Sequence, residues 1–328
     1  MASMLYPLKF APILKEKIWG GKKIETILKH KLSHLKNCGE SWEISGIIGE
    51  ESLIINGFLA DNNLNEIIEV YLTDILGEKN YEKYGLGFPL LIKFIDAQEN
   101  LSVQVHPNDK IANEKYGQQG KTEMWHVIQA DEDAGLYVGF NRPTSIEQFN
   151  DAVENGTLEN LLKFYPVSKG DTFMIPAGTV HAIGKGVLLA EIQEASDITF
   201  RIFDWNRVDE NGNSRELHIE EALDVIDFEE NNAEFKIQHN KILNKTVKLV
   251  SSQYFNTNLL ELNTTIIKSF ADLDSFVIYI CLEGQVHLVS NNFNEQVETG
   301  DVILVPAEIE ELKITCDTYS RLLEVFCS

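Results

Sequence analysis

The chain contains 328 residues, of which 44% are hydrophobic and 24% are charged. This length and composition can form one large hydrophobic core or two medium-sized cores, which excludes a disordered chain. The 51 acidic and 28 basic residues give a formal net charge of -23, which would repel nucleic acid and anionic lipid at long range. We therefore expect no nucleic-acid partner and no membrane partner. An anionic substrate would require Lys and Arg side chains gathered around its site.

Cysteine spacing and the sequence near the N-terminus bear on the cellular compartment. The four cysteines lie far apart and form no CxxC pair, which argues against a disulfide framework and against a cysteine metal site. The N-terminus has no basic segment followed by an apolar stretch, and no run of 18 apolar residues occurs. These features predict a cytoplasmic protein with reduced thiols.

Three segments have apolar residues three or four positions apart, the spacing of an amphipathic helix. They span residues 63–79, 143–156 and 215–228. The remaining apolar runs are short and are bounded by Gly, Pro, Asn or Asp, which is typical of β-strands. Clear examples are 88–97, 135–140, 171–178, 274–284 and 301–308. The pattern predicts a mainly β protein with accessory α-helices.

A polar segment, 229–241, has the least apolar character of any interior stretch and predicts a domain boundary near residue 232. An internal repeat supports that division. "KGDTFMIPAGTVH" (169–181) and "TGDVILVPAEIEE" (299–311) share Gly-Asp, four residues, then Pro-Ala. We therefore predict one fold unit in two copies, an N-terminal domain of residues 1–232 and a C-terminal domain of residues 233–328.

The first copy contains a turn glycine, a strand, a Pro-Gly turn able to supply positive φ, and a histidine, His181. This arrangement is similar to the second motif of cupin proteins. It predicts two cupin (double-stranded β-helix or jelly-roll) barrels. In the second copy, Glu308 replaces the motif glycine and Glu311 stands where His181 would be. We expect the C-terminal barrel to be degenerate and to lack a metal site.

A set of potential metal ligands lies in the N-terminal domain. Gln104 and His106 are two residues apart in "LSVQVHPNDK", so on a strand they face the same side. His181 would approach from another strand, and Glu123 in "GKTEMWHVI" offers a carboxylate. Two imidazoles, an amide oxygen and a carboxylate suit Zn²⁺, with Co²⁺, Mn²⁺ or Fe²⁺ as alternatives. A single strand histidine is more often a core residue, and that interpretation is kept for His126.

The segments 88–109, 120–127 and 176–207, which include "QVHPND", "GKTEMWHV" and "PAGTVHA", closely resemble type I phosphomannose isomerases of the short bacterial form. The resemblance begins at "KIWGG" (17–21) and is weaker over the C-terminal barrel. It implies one zinc ion per chain, held by the four residues of the QxHP, KxE and PAGTxH motifs, which are Gln104, His106, Glu123 and His181. It also implies interconversion of mannose 6-phosphate and fructose 6-phosphate through an enediol(ate).

The resemblance further implies roles for residues around the metal. Arg201 aligns with an arginine that faces the substrate, with a salt bridge on the barrel rim as the structural alternative. Glu191 aligns with a proposed proton shuttle, with a charged strand end bonded to Arg201 as its alternative. The residues themselves place Lys121, because it is two residues from Glu123 and on a strand would face the same side, near the metal; it is expected to bind sugar hydroxyls or phosphate and to act with the catalytic groups. Ser102 and Lys93 are further substrate-binding candidates, although Lys93 could instead extend to the surface.

Two other functional classes fit the residues. An iron-dependent cupin oxygenase would also use two imidazoles and a carboxylate, but Gln104 disfavours it because such sites more often have a second histidine there. A non-enzymatic sugar-binding protein with two cupin barrels is disfavoured by the charged residues predicted around one site. The sequence leaves open whether the chain is a monomer or a homodimer.

Overall fold

The computed structural model describes residues 5–208, 212–229, 234–290 and 293–327, and these residues form a mainly β protein, as predicted. The strands are β1 (Leu8–Lys9), β2 (Ile13–Lys15), β3 (Glu40–Ile44), β4 (Leu90–Ala97), β5 (Val103–Val105), β6 (Glu123–Ala130), β7 (Gly135–Phe140), β8 (Leu162–Pro166), β9 (Thr172–Ile175), β10 (His181–Ile183), β11 (Val187–Glu194), β12 (Phe200–Phe203), β13 (Lys236–Ile237), β14 (Thr246–Ser251), β15 (Asn256–Leu262), β16 (Ile266–Ser269), β17 (Val277–Glu283), β18 (Gln285–Ser290), β19 (Phe293–Glu298), β20 (Val302–Val305), β21 (Glu311–Thr315) and β22 (Ser320–Phe326). The helices are α1 (Lys23–Thr26), α2 (Leu64–Tyr71), α3 (Thr73–Leu76), α4 (Glu78–Tyr84), α5 (Asp109–Tyr116), α6 (Ile146–Glu154) and α7 (Ile219–Leu223), with a 3-10 helix at Leu158–Leu161.

Two sheets in the N-terminal part share a hydrophobic core. The larger has the order β13-β9-β6-β11-β4-β3-β2, and the smaller has the order β12-β5-β10-β7-β8. Trp125 and Leu189 of the larger sheet and Leu136 and Val138 of the smaller belong to one buried cluster. The two sheets therefore pack against each other.

Two further sheets in the C-terminal part also share a core. Their orders are β1-β20-β17-β22-β15-β14 and β16-β21-β18-β19, and Tyr279 and Leu288 belong to the cluster between them. Each part also receives a strand from beyond the predicted boundary. Strand β1 pairs with β20, and β13 pairs with β9.

The largest sheets of the two parts contribute to a third buried cluster. Ile92 and Phe94 of β4 lie in it together with Ile278 of β17 and Leu323 of β22. Alternate residues such as Ile95 and Tyr279 face the cores within each part. These strands are buried on both faces, which explains why they appear in the sequence as continuous apolar runs rather than alternating ones.

The helix predicted over residues 63–79 is divided into α2, α3 and the start of α4. Leu72 and Gly77 interrupt it with positive φ values of 48° and 87°. The backbone N–H groups of Glu78 and Lys79 donate to the Asp274 carboxylate at 2.6 and 3.0 Å. Asp274 thus satisfies the unpaired N–H groups at a new helix start, a contact that local periodicity cannot reveal.

The helix predicted over residues 143–156 is present as α6, with Ser145 and Gln148 forming a capping box. The one predicted over residues 215–228 is shortened to α7. Beyond α7, the backbone N–H of Asp227 donates to the Gly178 carbonyl at 3.0 Å. The chain leaves the helical path because it binds the Pro-Gly turn that precedes His181.

The sequence repeat corresponds to equivalent turns in the two parts. Gly170 and Gly300, the first glycines of the two copies, both have a φ of 96°. Each precedes a four-residue strand, β9 or β20. The copies differ at their ends, because His181 is buried and Glu311 is exposed.

Replacing Gly300 by Ala should destabilise the protein. The new methyl group would lie 2.2 Å from the Leu28 carbonyl oxygen, in addition to the positive-φ strain, which costs about 1–2 kcal/mol. Gly49→Ala is the control, because Gly49 has a φ of 87° with no atom within 4 Å of the added methyl. Urea denaturation should show a larger loss of unfolding free energy for Gly300→Ala. Equal losses would contradict the predicted clash.

Candidate metal centre and active-site cavity

Strand pairing brings Gln104 next to two other predicted site residues. On one side of β5, His181 of β10 is the direct partner of Gln104, and on the other side Arg201 of β12 is. Directly paired residues of antiparallel strands have side chains on the same face. The smaller N-terminal sheet therefore presents an imidazole, an amide and a guanidinium side by side.

Glu123 approaches from the larger sheet, at the start of β6. Its Oε2 lies 3.5 Å from His106 Nε2, and its Oε1 lies 3.4 Å from His181 Nε2. The two imidazole rings are 4.8 Å apart between centroids. These three residues have potential ligand atoms that all lie within 4.8 Å of one another.

Backbone carbonyls orient both histidine rings. His106 Nδ1 lies 3.0 Å from the Ile198 carbonyl oxygen, and His181 Nδ1 lies 2.8 Å from that of Thr179. A carbonyl can only accept a hydrogen bond, so each Nδ1 carries the proton and each Nε2 presents a lone pair. Metal-binding histidines are commonly held by such a contact at the second ring nitrogen.

With Glu123 ionised, the atoms that converge at this centre are all acceptors. Burial, followed by the charge of Glu191, raises the pKa of Glu123 to about 8, which reflects how unfavourable the buried carboxylate is without a cation beside it. His106 Nε2, His181 Nε2 and both carboxylate oxygens of Glu123 are buried without a hydrogen-bond partner. Burial lowers the pKa of His181 to about 4 and also lowers that of His106, so both rings are neutral. Unpaired buried acceptors are costly. A divalent cation would satisfy all of them, so the residues fit a metal.

The centre adjoins a cavity of about 320 Å³, a size suited to a small ligand. Each predicted substrate-binding or catalytic residue lines it. The lining residues are Lys15, Lys17, Trp19, Glu40, Trp42, Lys93, Ile95, Leu101, Ser102, Gln104, Lys121, Glu191, Asp197, Thr199, Arg201 and Arg215.

Glu191 has two buried partners in the cavity wall. Trp125 Nε1 donates to its Oε2 at 3.0 Å, and Lys93 Nζ lies 3.2 Å from its Oε1. Lys93 is buried rather than extended to the surface. Desolvation opposes the charge of Lys93, but Glu191 and Glu40 outweigh it and raise its pKa. The carboxylate of Glu191 is thus oriented by Lys93 and Trp125, not by Arg201.

Arg201 and Lys121 lie at the same cavity with fewer partners. Arg201 Nη1 donates to the Glu216 carbonyl at 2.9 Å, and its Nε has no hydrogen-bond partner. Lys121 Nζ lies 3.9 Å from Glu123 Oε2, and burial followed by the charge of Lys93 lowers its pKa. These cationic groups have donors available for a ligand.

Comparison with known proteins places this site in a family. The family model of the type I phosphomannose isomerase catalytic domain matches residues 7–132, and that of the mannose-6-phosphate isomerase cupin domain matches residues 245–320. A mannose-6-phosphate isomerase of Bacillus subtilis is 34% identical over 94% of this chain and 95% of its own length. One from Streptococcus mutans is 32% identical over 96% of each chain.

The chain belongs to the type I phosphomannose isomerase family.

Solved structures agree with this membership. The crystal structure of the mannose 6-phosphate isomerase from Bacillus subtilis is 28% identical, with a TM-score of 0.87 over 97% of this chain and 99% of that one. A phosphomannose isomerase variant from Salmonella typhimurium has a TM-score of 0.79 at 16% identity and shows the shared fold alone. Membership in a phosphomannose isomerase family confirms the predicted enzyme class and disfavours the oxygenase and sugar-binding alternatives.

The cavity also contains residues that the sequence-based prediction missed. Lys15 and Lys17 line it from the edge of the larger sheet, and Glu40 lies between Lys17 and Trp42. The two-residue spacing in "LKEKIW" was an available signal for Lys15 and Lys17. Arg215 had no such signal, because it lies outside a strand and is held by Asp204 through a 2.7 Å hydrogen bond.

Basic residues outnumber acidic ones in the cavity wall, against a chain charge of -23. The basic lining consists of Lys15, Lys17, Lys93, Lys121, Arg201 and Arg215, and the acidic lining consists of Glu40, Glu191 and Asp197. Basic side chains are therefore gathered at one site, as an anionic substrate requires.

No helix in the described residues has the length and apolar character needed to span a bilayer.

The stability contributed by Glu40 should depend on pH. Desolvation raises the pKa of Glu40, but Lys93 and Lys17 outweigh it and lower the pKa from 4.5 to about 2. Because the folded pKa is the lower one, the contribution is present above about pH 5 and is lost as the pH falls towards 2. Glu40→Gln should therefore cost at most about 3 kcal/mol at pH 7, and less at pH 3.

Urea denaturation with chelator present at both pH values measures this difference without a contribution from acid-induced metal loss. Glu308→Gln, which alters an exposed carboxylate, is the control and should have a small effect at both. A cost of Glu40→Gln that is the same at pH 7 and pH 3 would contradict the predicted ion pairing.

Proposed function

We propose that the protein is a zinc-dependent isomerase that interconverts mannose 6-phosphate and fructose 6-phosphate by proton transfer between C1 and C2 through an enediol(ate). Family membership and the names of the relatives support this substrate. The observation that carries the proposal is the buried His106–Glu123–His181 cluster with unpaired acceptors, beside a cavity rich in cations.

One zinc ion per chain would be held by Gln104, His106, Glu123 and His181. The fourth ligand, Gln104, is supported by its direct pairing with His181 and by its position in the cavity lining. When bound, zinc would polarise a substrate oxygen or hold it in position. A set of nitrogen and oxygen ligands without sulfur is consistent with zinc and with related divalent ions.

The Glu191 carboxylate is our candidate for the group that moves the proton. It would take the proton from C2 of the aldose and deliver it to C1, while the O2 hydroxyl proton passes to O1, so that the ketose forms and the carboxylate returns to its starting state. Its two contacts, from Trp125 and Lys93, fix the direction of the carboxylate. A general base of this kind must be held within reach of the carbon-bound proton.

Arg201 would stabilise the negative charge that develops on the enediolate oxygens. Its planar guanidinium suits two oxygens at once, and its Nε has no protein partner. Lys121 would bind sugar hydroxyls or the phosphate and support the catalytic groups, with Ser102 and Lys93 as further substrate contacts. The presence of these residues in one cavity lining supports their assignment.

We further propose that the sheets form two cupin barrels, a catalytic one within residues 1–232 and a degenerate one without metal within residues 233–328. The paired sheets and the core inside each pair support this division, while β1 and β13 cross it by pairing with β20 and β9. A cytoplasmic location and a monomeric or homodimeric state complete the proposal.

Metal content and activity should depend on the histidine pair. His106→Ala/His181→Ala removes two ligands, so elemental analysis should fall from about one zinc per chain to near zero, and turnover of mannose 6-phosphate should be lost with it. Glu311→Gln is the matched control in the second repeat copy and should leave both unchanged. A double variant that keeps metal and activity would contradict the ligand assignment.

Arg201→Ala should lower kcat by about 100-fold or more, because a donor aimed at a developing oxyanion is lost. Zinc content and folding should stay intact. Arg201→Lys should not restore the parent rate, because the charge remains while the planar fork is lost. Steady-state kinetics on metal-loaded protein tests this. A rise in KM alone would instead make Arg201 a binding residue, and unchanged kinetics would make it structural.

A further inference from the structure

A buried polar contact joins the C-terminal part to the strand that carries Glu123. Arg321 lies on β22 and His126 on β6, and both are buried. Arg321 Nη2 lies 2.9 Å from His126 Nε2. The residues are 195 positions apart in the sequence, so only the packing of the two parts brings them together.

Hydrogen bonding fixes the tautomer of His126. A guanidinium can only donate, so Nε2 of His126 must accept from Arg321 and Nδ1 must carry the ring proton. That proton is donated to Thr172 Oγ1 on β9, at 2.9 Å. Burial and then the charge of Arg321 lower the pKa of His126 well below its ordinary value. The ring is neutral, and both of its nitrogens are engaged.

The opposite face of the same strand belongs to the active site. Alternation along β6 directs Glu123 and Trp125 towards the cavity side, and Met124 and His126 towards the second part of the chain. Trp125 lies in the N-terminal core, whereas Met124 lies in the cluster shared with the C-terminal sheet. Strand β6 therefore connects the Arg321 contact at His126 to the predicted metal ligand Glu123, three residues earlier in the same strand.

Trp125, which also lies on β6, contacts two other residues of the site, His181 and Glu191. Its ring meets His181 edge-on, with centroids 5.4 Å apart, and its Nε1 donates to Glu191. A shift of β6 would therefore move Glu123 and also disturb the contacts that orient His181 and Glu191. These are two metal-centre residues and the candidate proton-transfer group.

Arg321 has a confined environment. A methyl group added at Gly170 would lie 2.8 Å from Nη2, which shows how closely the guanidinium packs on that backbone. Glu261 Oε1 is 4.0 Å from Arg321 Nε, and that Nε has no hydrogen-bond partner. The guanidinium is thus aimed at His126 rather than at a carboxylate.

We propose that Arg321 is a positioning residue for the isomerase reaction: through His126, the C-terminal part fixes strand β6 and with it Glu123 and Trp125. The ladders to β9 and β11 hold β6 within its own sheet. Apolar packing between the large sheets is non-directional, so the Arg321–His126 contact supplies a directed link from that sheet to the C-terminal part. This role rests on the proposed function of Glu123 and Glu191, and it gives the C-terminal part a task in catalysis without a metal of its own.

The test uses variants of the full-length, zinc-loaded protein. His126→Phe removes the acceptor and leaves a buried unpaired charge, whereas His126→Gln keeps an acceptor. His126→Phe/Arg321→Met replaces both partners by apolar groups, which avoids the destabilising unpaired charge of the single variant. Lys169→Met is the control, because Lys169 Nζ bonds Glu283 across the same boundary at 2.6 Å with both side chains about half exposed.

We expect kcat per zinc-loaded chain to fall about 10-fold or more in His126→Phe and in the double variant, since small displacements of catalytic groups have large effects on rate. KM should change little. His126→Gln should restore most of kcat, and Lys169→Met should match the parent. The double variant should be more stable than His126→Phe and yet remain slow, which a purely structural contact would not produce.

A double variant with the kcat of the parent per bound zinc would overturn the proposal, because the contact would then only stabilise the fold. So would a slow Lys169→Met variant, since any loosening of the boundary would then suffice. The activity and zinc content of the parent protein are measured alongside. A parent that does not isomerise mannose 6-phosphate would contradict the proposed function itself, independently of the variants.

Discussion

The site depends on one costly arrangement, a buried carboxylate that faces two imidazole lone pairs. Glu123, His106 and His181 bring only acceptors together, and none of these atoms has a hydrogen-bond partner. Such a centre is unfavourable unless a cation occupies it. The backbone carbonyls of Ile198 and Thr179 accept the Nδ1 protons of His106 and His181. Each Nε2 lone pair is therefore directed towards Glu123.

The fold meets this constraint by bringing two sheets together. The smaller N-terminal sheet supplies Gln104 and His181 on paired strands, and the larger one supplies Glu123. Across the larger sheet, Trp42 pairs with Lys93, Lys93 with Glu191, and Glu191 with Trp125. Two charged residues thus lie between two tryptophans in a row across four neighbouring strands, and the second tryptophan contacts His181. The buried Lys93 is tolerated because it has Glu191 and Glu40 as partners.

Much of the site could be predicted from the sequence because its residues lie on short strands or within two residues of a strand end. The two-residue spacing of Gln104 and His106 and the Pro-Gly turn before His181 are local patterns with a direct structural meaning. The resemblance to a known family then supplied Glu191 and Arg201. The mainly β fold class followed from the apolar runs in the same way.

Features that depend on contacts between distant segments could not be predicted. Asp274 starts a new helix within the segment 63–79, and Gly178 ends the helical path after α7. Arg215 reaches the cavity only because Asp204 holds it. His126 was interpreted as a core histidine, and it is buried, but its partner Arg321 lies in the other part of the chain. The spacing of apolar residues along the chain does not identify such distant partners.

The most direct measurement of the central claim is a zinc titration of metal-free protein, in which bound zinc and turnover of mannose 6-phosphate are recorded on the same samples. Turnover should rise in proportion to bound zinc and reach its maximum at about one ion per chain, the capacity of a single four-ligand site. Full turnover in protein without metal would contradict it, as would saturation with zinc without any turnover of mannose 6-phosphate.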